Sequence, residues 1–142
     1  MSEKFDRLSS FGWMVNVVAS KAEKLFDTEL KKHGLSIALW PTLMCLWEEE
    51  GVSQREIAAK AKVENSTTTR TLDKLEKLGL VERHPDPQSR RTFRIYLTPK
   101  GRDLEEVLTP IPLSINQQLL RALNAEEQQQ MLTLLQKIVS DV

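Results

Sequence analysis

Cysteine is nearly absent from this sequence of 142 residues, which contains a single one, Cys45. One thiol excludes an internal disulfide and any zinc site built from several cysteines. Long apolar runs are also missing, since none approaches the roughly 18 residues of a membrane-spanning helix. The N-terminus lacks the pattern of a secretory signal. From these absences we expect a cytoplasmic protein with no metal site, no cofactor and no membrane partner.

An excess of charge of either sign is missing as well, because 20 lysines and arginines balance 20 aspartates and glutamates. This balance argues against a uniformly basic nucleic-acid binder. The charges are nevertheless segregated: residues 53–102 contain twelve basic and six acidic side chains, whereas the rest of the chain contains eight and fourteen. A basic middle between acidic ends predicts one region that meets a polyanion, with chance segregation as the alternative.

Hydrophobic periodicity predicts helices at both ends of the chain. The first spans about residues 9–33 and is apolar on two faces, since Trp13 and Val17 lie opposite its main stripe. Such a helix packs with one face against the core of its own domain and with the other against a partner subunit or a ligand. A helix that starts near Lys100 breaks at Pro110 and Pro112 and continues to about Leu123. Asn124 and Glu127 have the spacing of a cap for the last helix, whose apolar stripe consists of Met131, Leu134, Leu135 and Ile138.

The middle of the chain predicts a compact helical lobe with a hairpin. Ser36 is a candidate cap for a second helix that runs to Gly51, and Pro41 predicts either a bend in this helix or a late start. Ser53 and Glu56 have the spacing of a capping box before a short third helix. Beyond the fourth helix, "LVERH" and "TFRIYLT" predict two strands, joined by a loop longer than a tight two-residue turn.

The fourth helix, which contains "ENSTTTRTLDKLEKLG", carries an unusual cluster of hydroxyl side chains at its start. On a helical wheel Leu72, Leu75 and Leu78 define a buried face, and Thr68 and Thr71 fall on the same side. The opposite face presents polar and basic side chains, namely Ser66, Thr69, Arg70, Asp73 and Lys77, with Thr67 and Lys74 beside them. A short helix, a turn and this helix predict a helix-turn-helix whose second helix enters a DNA major groove.

The basic hairpin after this helix completes the pattern of a winged helix. Its "QSRR" segment places Arg90 and Arg91 at the tip of the wing. Arginine in that place is suited to a DNA minor groove, where narrow A·T tracts concentrate negative potential. A solvated amphipathic helix next to an ordinary hairpin is the simpler alternative.

Nearly the whole chain resembles the MarR/SlyA family of bacterial transcription regulators. The residues that carry the resemblance are "LSIALWPTL", "SQREIAAKAKVENSTTTRTLDKLEKLGLVER" and "DPQSRRTFRIYLTPKG". It implies a mainly α fold with a small β-hairpin wing (α+β) in a single domain over residues 1–142. Within it, residues of about 35–103 would form the winged helix-turn-helix DNA-binding lobe, and about 1–34 and 104–142 the dimerisation helices.

The resemblance also implies a function and its site residues. A homodimer would bind double-stranded DNA at a pseudo-palindromic operator as a repressor, released by a small aromatic or phenolic ligand near Trp13 and Trp40. Ser89 stands where the family has an aspartate that orients the wing arginine Arg91, and Asp86 is the alternative partner for it. DNA contacts are expected from Ser66, Thr67, Thr69, Arg70, Lys74, Arg90 and Arg91.

Three other functions compete with this interpretation. The sequence has no constellation typical of an enzyme, since His33 and His84 stand apart without metal-ligand spacing. A winged helix that binds protein would not require arginines both on the fourth helix and on the wing. A redox-sensing regulator would use Cys45, which lies among apolar residues where a cysteine is more often a small buried side chain. In the same way, Trp13 and Trp40 have core and dimer contacts as their alternative role.

Overall fold

The computed structural model describes residues 4–142 of the chain. Its helices are α1 (Phe11–Lys31), α2 (Trp40–Glu48), α3 (Gln54–Ala61), α4 (Asn65–Lys77), α5 (Pro99–Leu108), α6 (Pro110–Leu120) and α7 (Ala125–Asp141). Its strands are β1 (Val52–Ser53), β2 (Val81–Asp86) and β3 (Ser89–Leu97). Short 3-10 turns occupy Arg7–Ser9 and Ile37–Leu39. The expected fold, mainly helical with a small wing, is confirmed.

The chain divides into two compact units. The central unit runs from Asp27 to Pro110, and the terminal unit combines the residues up to Phe26 with Ile111–Val142. The expected division into dimerisation helices at about 1–34 and 104–142 and a DNA-binding lobe at about 35–103 assigns a function to each part. That assignment stays a prediction, and its first three residues lie outside the described chain.

The core of the central unit is built by α2, α3, α4 and the sheet. Its fully buried side chains include Leu43, Leu46, Ile57, Leu72 and Ile95. In a helix, residues three and four apart share one face, and the buried residues of α4 follow this period. The Ile57 side of α3 and the Leu72 side of α4 are therefore both committed to one apolar interior.

One residue of the predicted α4 stripe is placed differently. Leu78 is only half-buried, whereas Leu80 is 2% exposed. The helix ends at Lys77, and Gly79 adopts a left-handed φ of 75° that turns the chain. This turn directs Leu80 rather than Leu78 into the core.

The cap that the sequence predicts for α2, Ser36, is wrong, whereas the predicted effect of Pro41 is found. Pro41 lies in the first turn of α2, so the late start is confirmed, and the 3-10 turn precedes it. The side chain of Ser36 makes no capping hydrogen bond. Instead Asp27 Oδ1, at the end of α1, accepts from Ile37 N at 3.1 Å. The Lys31 ammonium and this N–H hold the pKa of Asp27 below its ordinary value.

The sheet has three antiparallel strands in the order β1-β3-β2. The short strand β1, with Val52 paired to Ile95, was missed by the sequence analysis. Two residues carry too little alternation to predict a strand, and β1 exists because the edge of β3 is available to it.

The hairpin turn of the wing is shorter than the sequence predicts. Strand β2 ends at Asp86 and β3 begins at Ser89, so the turn consists of two residues only. The residues that were expected in a longer loop belong to β3 instead. Pro85 pairs with Phe93 and Asp86 pairs with Ser89, which leaves residues 90–92 as a bulge opposite the β2 edge. Such bulges redirect side chains, and this one carries Arg90 and Arg91.

The junction between β3 and α5 is closely packed around Gly101. Thr98 caps α5 by accepting from Gly101 N at 3.1 Å. The Gly101 carbonyl accepts from Trp47 Nε1 at 3.0 Å. Close by, the Glu50 carboxylate accepts from Leu97 N at 2.8 Å and pairs with Arg102. The Arg102 guanidinium holds the pKa of Glu50 below its usual range.

The terminal unit contains much apolar surface that nothing in the described chain covers. Met131, Leu134 and Ile138 lie on the predicted stripe of α7 and are 42%, 57% and 43% exposed. The capping box of Asn124 and Glu127 that starts this helix is complete. The expected break near Pro110 is a single residue, Thr109, and α6 then ends at Leu120 instead of Leu123. In residues 4–142 no helix combines the length and apolarity needed to cross a membrane.

A Gly101→Ala substitution should lower the free energy of unfolding by about 1–3 kcal/mol. An added Cβ would stand 2.2 Å from the Leu80 carbonyl oxygen, which is backbone and cannot swing away. The control is Gly12→Ala in α1, where nothing lies within 4 Å of the new Cβ. That change should stabilise by about 0.5–1 kcal/mol through helix propensity. Urea unfolding of both variants measures the difference, and equal effects would contradict the packing described.

Candidate nucleic-acid interface

Helices α3 and α4 form the helix-turn-helix that the sequence predicts. Ser53 Oγ caps α3 by accepting from Glu56 N at 3.2 Å. Lys62 closes α3 in the left-handed conformation, with φ of 56°, and two residues then lead to α4. The two helices are in contact, and their apolar faces share the core. The turn therefore holds α4 at a fixed place relative to α3.

The surface of α4 separates into the two faces that the helical wheel predicts. Thr68 is 0% exposed, and its hydroxyl donates to the Glu64 carbonyl at 3.3 Å. Thr71 is 8% exposed. All the predicted contact residues of this helix are solvent-exposed, namely Ser66, Thr67, Thr69, Arg70 and Lys74. The structure thus places all five side chains on the surface.

Two basic side chains of α4, Arg70 and Lys74, have no polar partner within the described residues. Neither the Arg70 guanidinium nor the Lys74 ammonium makes an ion pair or hydrogen bond within residues 4–142. Both side chains line a groove of about 230 Å³, together with Ala38 and Leu39 of the turn before α2. Their charges are therefore available to an external anion.

Gln54, the first residue of α3, is a component that the sequence analysis missed. Its amide nitrogen donates to the hydroxyl of Thr69 and, at 3.3 Å each, to the backbone and side-chain oxygens of Asn65. A capping pattern indicated where α3 begins, but it carried no information about what the second residue of the pattern contacts across the turn.

The wing places its two arginines differently from the predicted tip. Arg90 and Arg91 lie in the β3 bulge beside the turn, and both are exposed. Within the described residues neither guanidinium has a hydrogen bond or an ion pair. Asp86, the suggested partner of Arg91, instead lies 3.4 Å from Nε of Arg94 and accepts from Gln88 N at 2.9 Å.

Ser89, at the position of the family's aspartate, has a hydrogen-bond partner other than Arg91. Its hydroxyl accepts from Thr92 Oγ1 at 3.1 Å. The two side chains that were candidates to orient Arg91 are thus both engaged elsewhere, and Arg91 itself lies in the unpaired bulge.

One groove connects the helix-turn-helix with the wing. It has a volume of about 370 Å³ and is lined by residues at the start of α3, at the start of α4 and on β3: Ser53, Gln54, Arg55, Asn65, Arg91, Thr92 and Phe93. Arg55 is a second residue that the sequence analysis missed. It brings a second guanidinium to the groove that Arg91 lines.

Arg83 links the wing to the polar face of α4. Arg83 on β2 lies 2.8 Å from the Asp73 carboxylate and 3.6 Å from that of Glu76, and it donates to the Thr69 carbonyl at 3.4 Å. Its side chain is 22% exposed. Asp73, which shares the polar face of α4, is therefore neutralised by the wing and repels an approaching anion less.

None of the remaining candidate residues lines either of the two grooves described above. Trp40 packs edge-on against Trp47 in the central unit, with ring centroids 5.3 Å apart. Trp13 belongs to the terminal unit, where the Arg7 guanidinium lies 5.2 Å from its ring centroid. Cys45 is buried, and both burial and the nearby Glu48 raise the pKa of its thiol. The thiolate that redox chemistry requires is disfavoured there.

Comparison with known proteins agrees with this geometry. Residues 35–93 match the model of the MarR family. The chain is 32% identical over 129 residues to the HTH-type transcriptional regulator BilQ of Clostridium symbiosum, which covers 91% of this chain and 90% of that protein. The chain belongs to the MarR family. The resemblance that the motifs carried is confirmed.

Solved MarR-family structures share the fold of this chain. The S. aureus MepR–DNA complex has a TM-score of 0.84 and 27% identity, with 94% of this chain and 98% of that chain covered. A mutant MarR from E. coli, complexed with operator DNA, has a TM-score of 0.85 and 25% identity, with coverage of 96% and 99%. Both cover the wing and the terminal helices as well as the segment matched by the family model.

Proposed function

We propose that this MarR-family chain is a sequence-specific regulator of transcription that binds double-stranded DNA and does not act as an enzyme. The observation that carries the proposal is the groove shared by α3, the first residue of α4 and the wing. Arg91 and Asn65 line the same groove, so the helix and the wing offer polar and basic groups to one ligand. DNA is a ligand that presents a major groove to a helix and a minor groove to an adjacent arginine.

Each exposed side chain of α4 has a role that its chemistry allows. Arg70 has no ion pair among the described residues and is long enough for a bidentate contact to guanine, the commonest specific contact in major grooves. Ser66 and Thr67 carry hydroxyls without a partner in the described chain and are suited to base edges or phosphates. Lys74 lies one turn beyond Arg70 and offers a point charge to the backbone.

The electrostatics favour DNA over a protein partner. The basic excess of the chain lies in residues 53–102, which include the whole interface. Arg55, Arg90 and Arg91 add unpaired or exposed guanidinium groups where α3 and the wing meet. A protein-binding winged helix has no need for this concentration of positive charge, which raises affinity for a polyphosphate backbone.

A homodimer is the assembly that the terminal unit supports. Helix α1 exposes Phe11, Val15 and Val18, and α7 exposes Leu134 and Ile138. Apolar area of this extent on a monomer is typical of an interaction surface. A second copy covers it with the same side chains, and a two-fold dimer then presents two reading heads to a pseudo-palindromic operator.

The regulatory part of the proposal is repression relieved by a small aromatic or phenolic ligand. It rests on the family resemblance and on the Trp13 and Trp40 rings, which offer aromatic faces in the terminal and central units. The competing switch, oxidation of Cys45, is disfavoured because burial keeps the thiol protonated. We propose a cytoplasmic location, because a regulator of bacterial transcription binds its DNA there.

An Arg70→Ala substitution should weaken binding to the selected operator by about 1–3 kcal/mol and binding to random duplex much less. The reason is that a base-edge contact acts only on the correct sequence. Lys74→Ala is the matched control, because loss of a phosphate contact weakens both duplexes alike and reduces the salt slope by about one. Fluorescence anisotropy at several salt concentrations measures both. Equal loss on the two duplexes for Arg70→Ala would reassign Arg70 to the backbone.

An Arg91→Ala substitution should weaken binding by about 1.5–3 kcal/mol on operators with A·T-rich flanks, and less on G·C-rich flanks. Ser89→Asp supplies a partner for Arg91 but adds a negative charge beside the phosphates. We expect its preorganisation and repulsion nearly to cancel, with a shallower salt slope. Salt titrations of the three proteins on both operators test this. If Arg91→Ala binds both operators like wild type, the wing does not touch DNA.

A further inference from the structure

The hydroxyl of Thr69 is committed to the protein in both directions. It donates its proton to the Asn65 carbonyl one turn earlier, at 3.1 Å, and it accepts from the side-chain amide of Gln54. A hydroxyl has one proton and two lone pairs, so no proton is left for an external acceptor. The neighbouring hydroxyls differ, since Ser66 and Thr67 have no such bonds within residues 4–142.

The two bonds also fix the side chain of an exposed residue. Thr69 is on the solvent face of α4. With Oγ1 held by Gln54 and Asn65, rotation about the Cα–Cβ bond is blocked, and the methyl group is fixed with it. The polar part of Thr69 is thus turned to the protein, and an apolar group remains for whatever contacts this face.

Gln54 is the residue that sets this arrangement. It lies fifteen residues earlier in the chain and reaches across the turn from the first position of α3. The bonds to Asn65 hold the amide in place, so its position does not depend on Thr69 alone. Its side chain also borders the groove lined by Arg91. The residue therefore connects the start of α3 with the face of α4 that is proposed to read DNA.

We propose that Thr69 reads a thymine methyl group by apolar contact, and that Gln54 is the positioning residue that makes it do so. The inference rests on the proposed DNA-binding function and deepens it. In the major groove the methyl group of thymine is the one apolar feature of the base edges, and a threonine methyl is a suitable partner for it. Without Gln54 only the bond to the Asn65 carbonyl would hold the hydroxyl, so it would turn more readily towards base acceptors, and the preference at this position would change.

The test uses operators selected from random duplexes, in which each thymine is replaced in turn by uracil. This removes only the 5-methyl group. At one position in each half-site, wild type should lose about fourfold in affinity, the worth of burying one methyl group. Thr69→Val keeps a methyl without a hydroxyl, so the uracil penalty should persist there although overall affinity falls. Thr69→Ser keeps the hydroxyl without the methyl, and its uracil penalty should vanish.

A second comparison tests whether Gln54 positions the Thr69 side chain or only stabilises the packing of α3 on α4. Gln54→Met has an unbranched side chain of similar length and no proton to donate, and it should reduce the uracil penalty at the same position. In the Thr69→Val background the same change should leave the penalty unaltered, because no hydroxyl remains to be released. A role that is only structural would lower the melting temperature, which is measured for every variant, without this dependence on Thr69.

The outcomes divide clearly. A uracil penalty that survives in Thr69→Ser, or a base preference lost in Thr69→Val, would overturn the methyl contact and leave the DNA-binding function standing. A Gln54→Met effect that is equal in both backgrounds would overturn the positioning role. If no duplex is selected at all by the folded wild-type protein, the proposed function fails, and this inference fails with it.

Discussion

Burial of one face of α4 is the constraint on which the interface depends. Leu72 and Leu75 are 0% exposed, and they fix the rotation of the helix about its axis. At 100° per residue this rotation determines where every other side chain of α4 lies. Thr68 is carried inside, where its hydroxyl is satisfied by the Glu64 carbonyl, and Ser66, Thr67, Thr69 and Arg70 are carried outside. The polar face is the consequence of a well-packed apolar one.

Two connections then hold this face in register with its surroundings. Gln54 joins the start of α3 to the start of α4, and Arg83 joins β2 to Asp73 and the Thr69 carbonyl. Both meet at Thr69, one at its side chain and the other at its backbone. Within the part of the chain that the structure describes, the guanidinium groups of Arg70 and Arg91 make no hydrogen bond or ion pair. The structure thus uses some polar groups for positioning and leaves the others for a ligand.

Features encoded in short stretches of sequence were predicted well. The helix order, the capping box at Asn124, the late start caused by Pro41 and the exposed face of α4 all follow from local patterns. The features that were wrong or missed depend on contacts between distant residues. Asp27 rather than Ser36 serves the start of α2, β1 forms on the edge of β3, and Gln54 meets Thr69 across a turn. The position of Arg91 depends on strand register, which the sequence of the wing does not specify.

The central claim is that two copies of this chain read one DNA site with their α4 helices, and selection of bound sites from a pool of random duplexes tests it most directly. The account predicts an inverted repeat whose two half-sites have their centres about one helical turn, roughly 10 base pairs, apart. Enrichment of a single asymmetric half-site would contradict the dimeric arrangement. Recovery of unenriched random sequence would contradict reading of bases by α4.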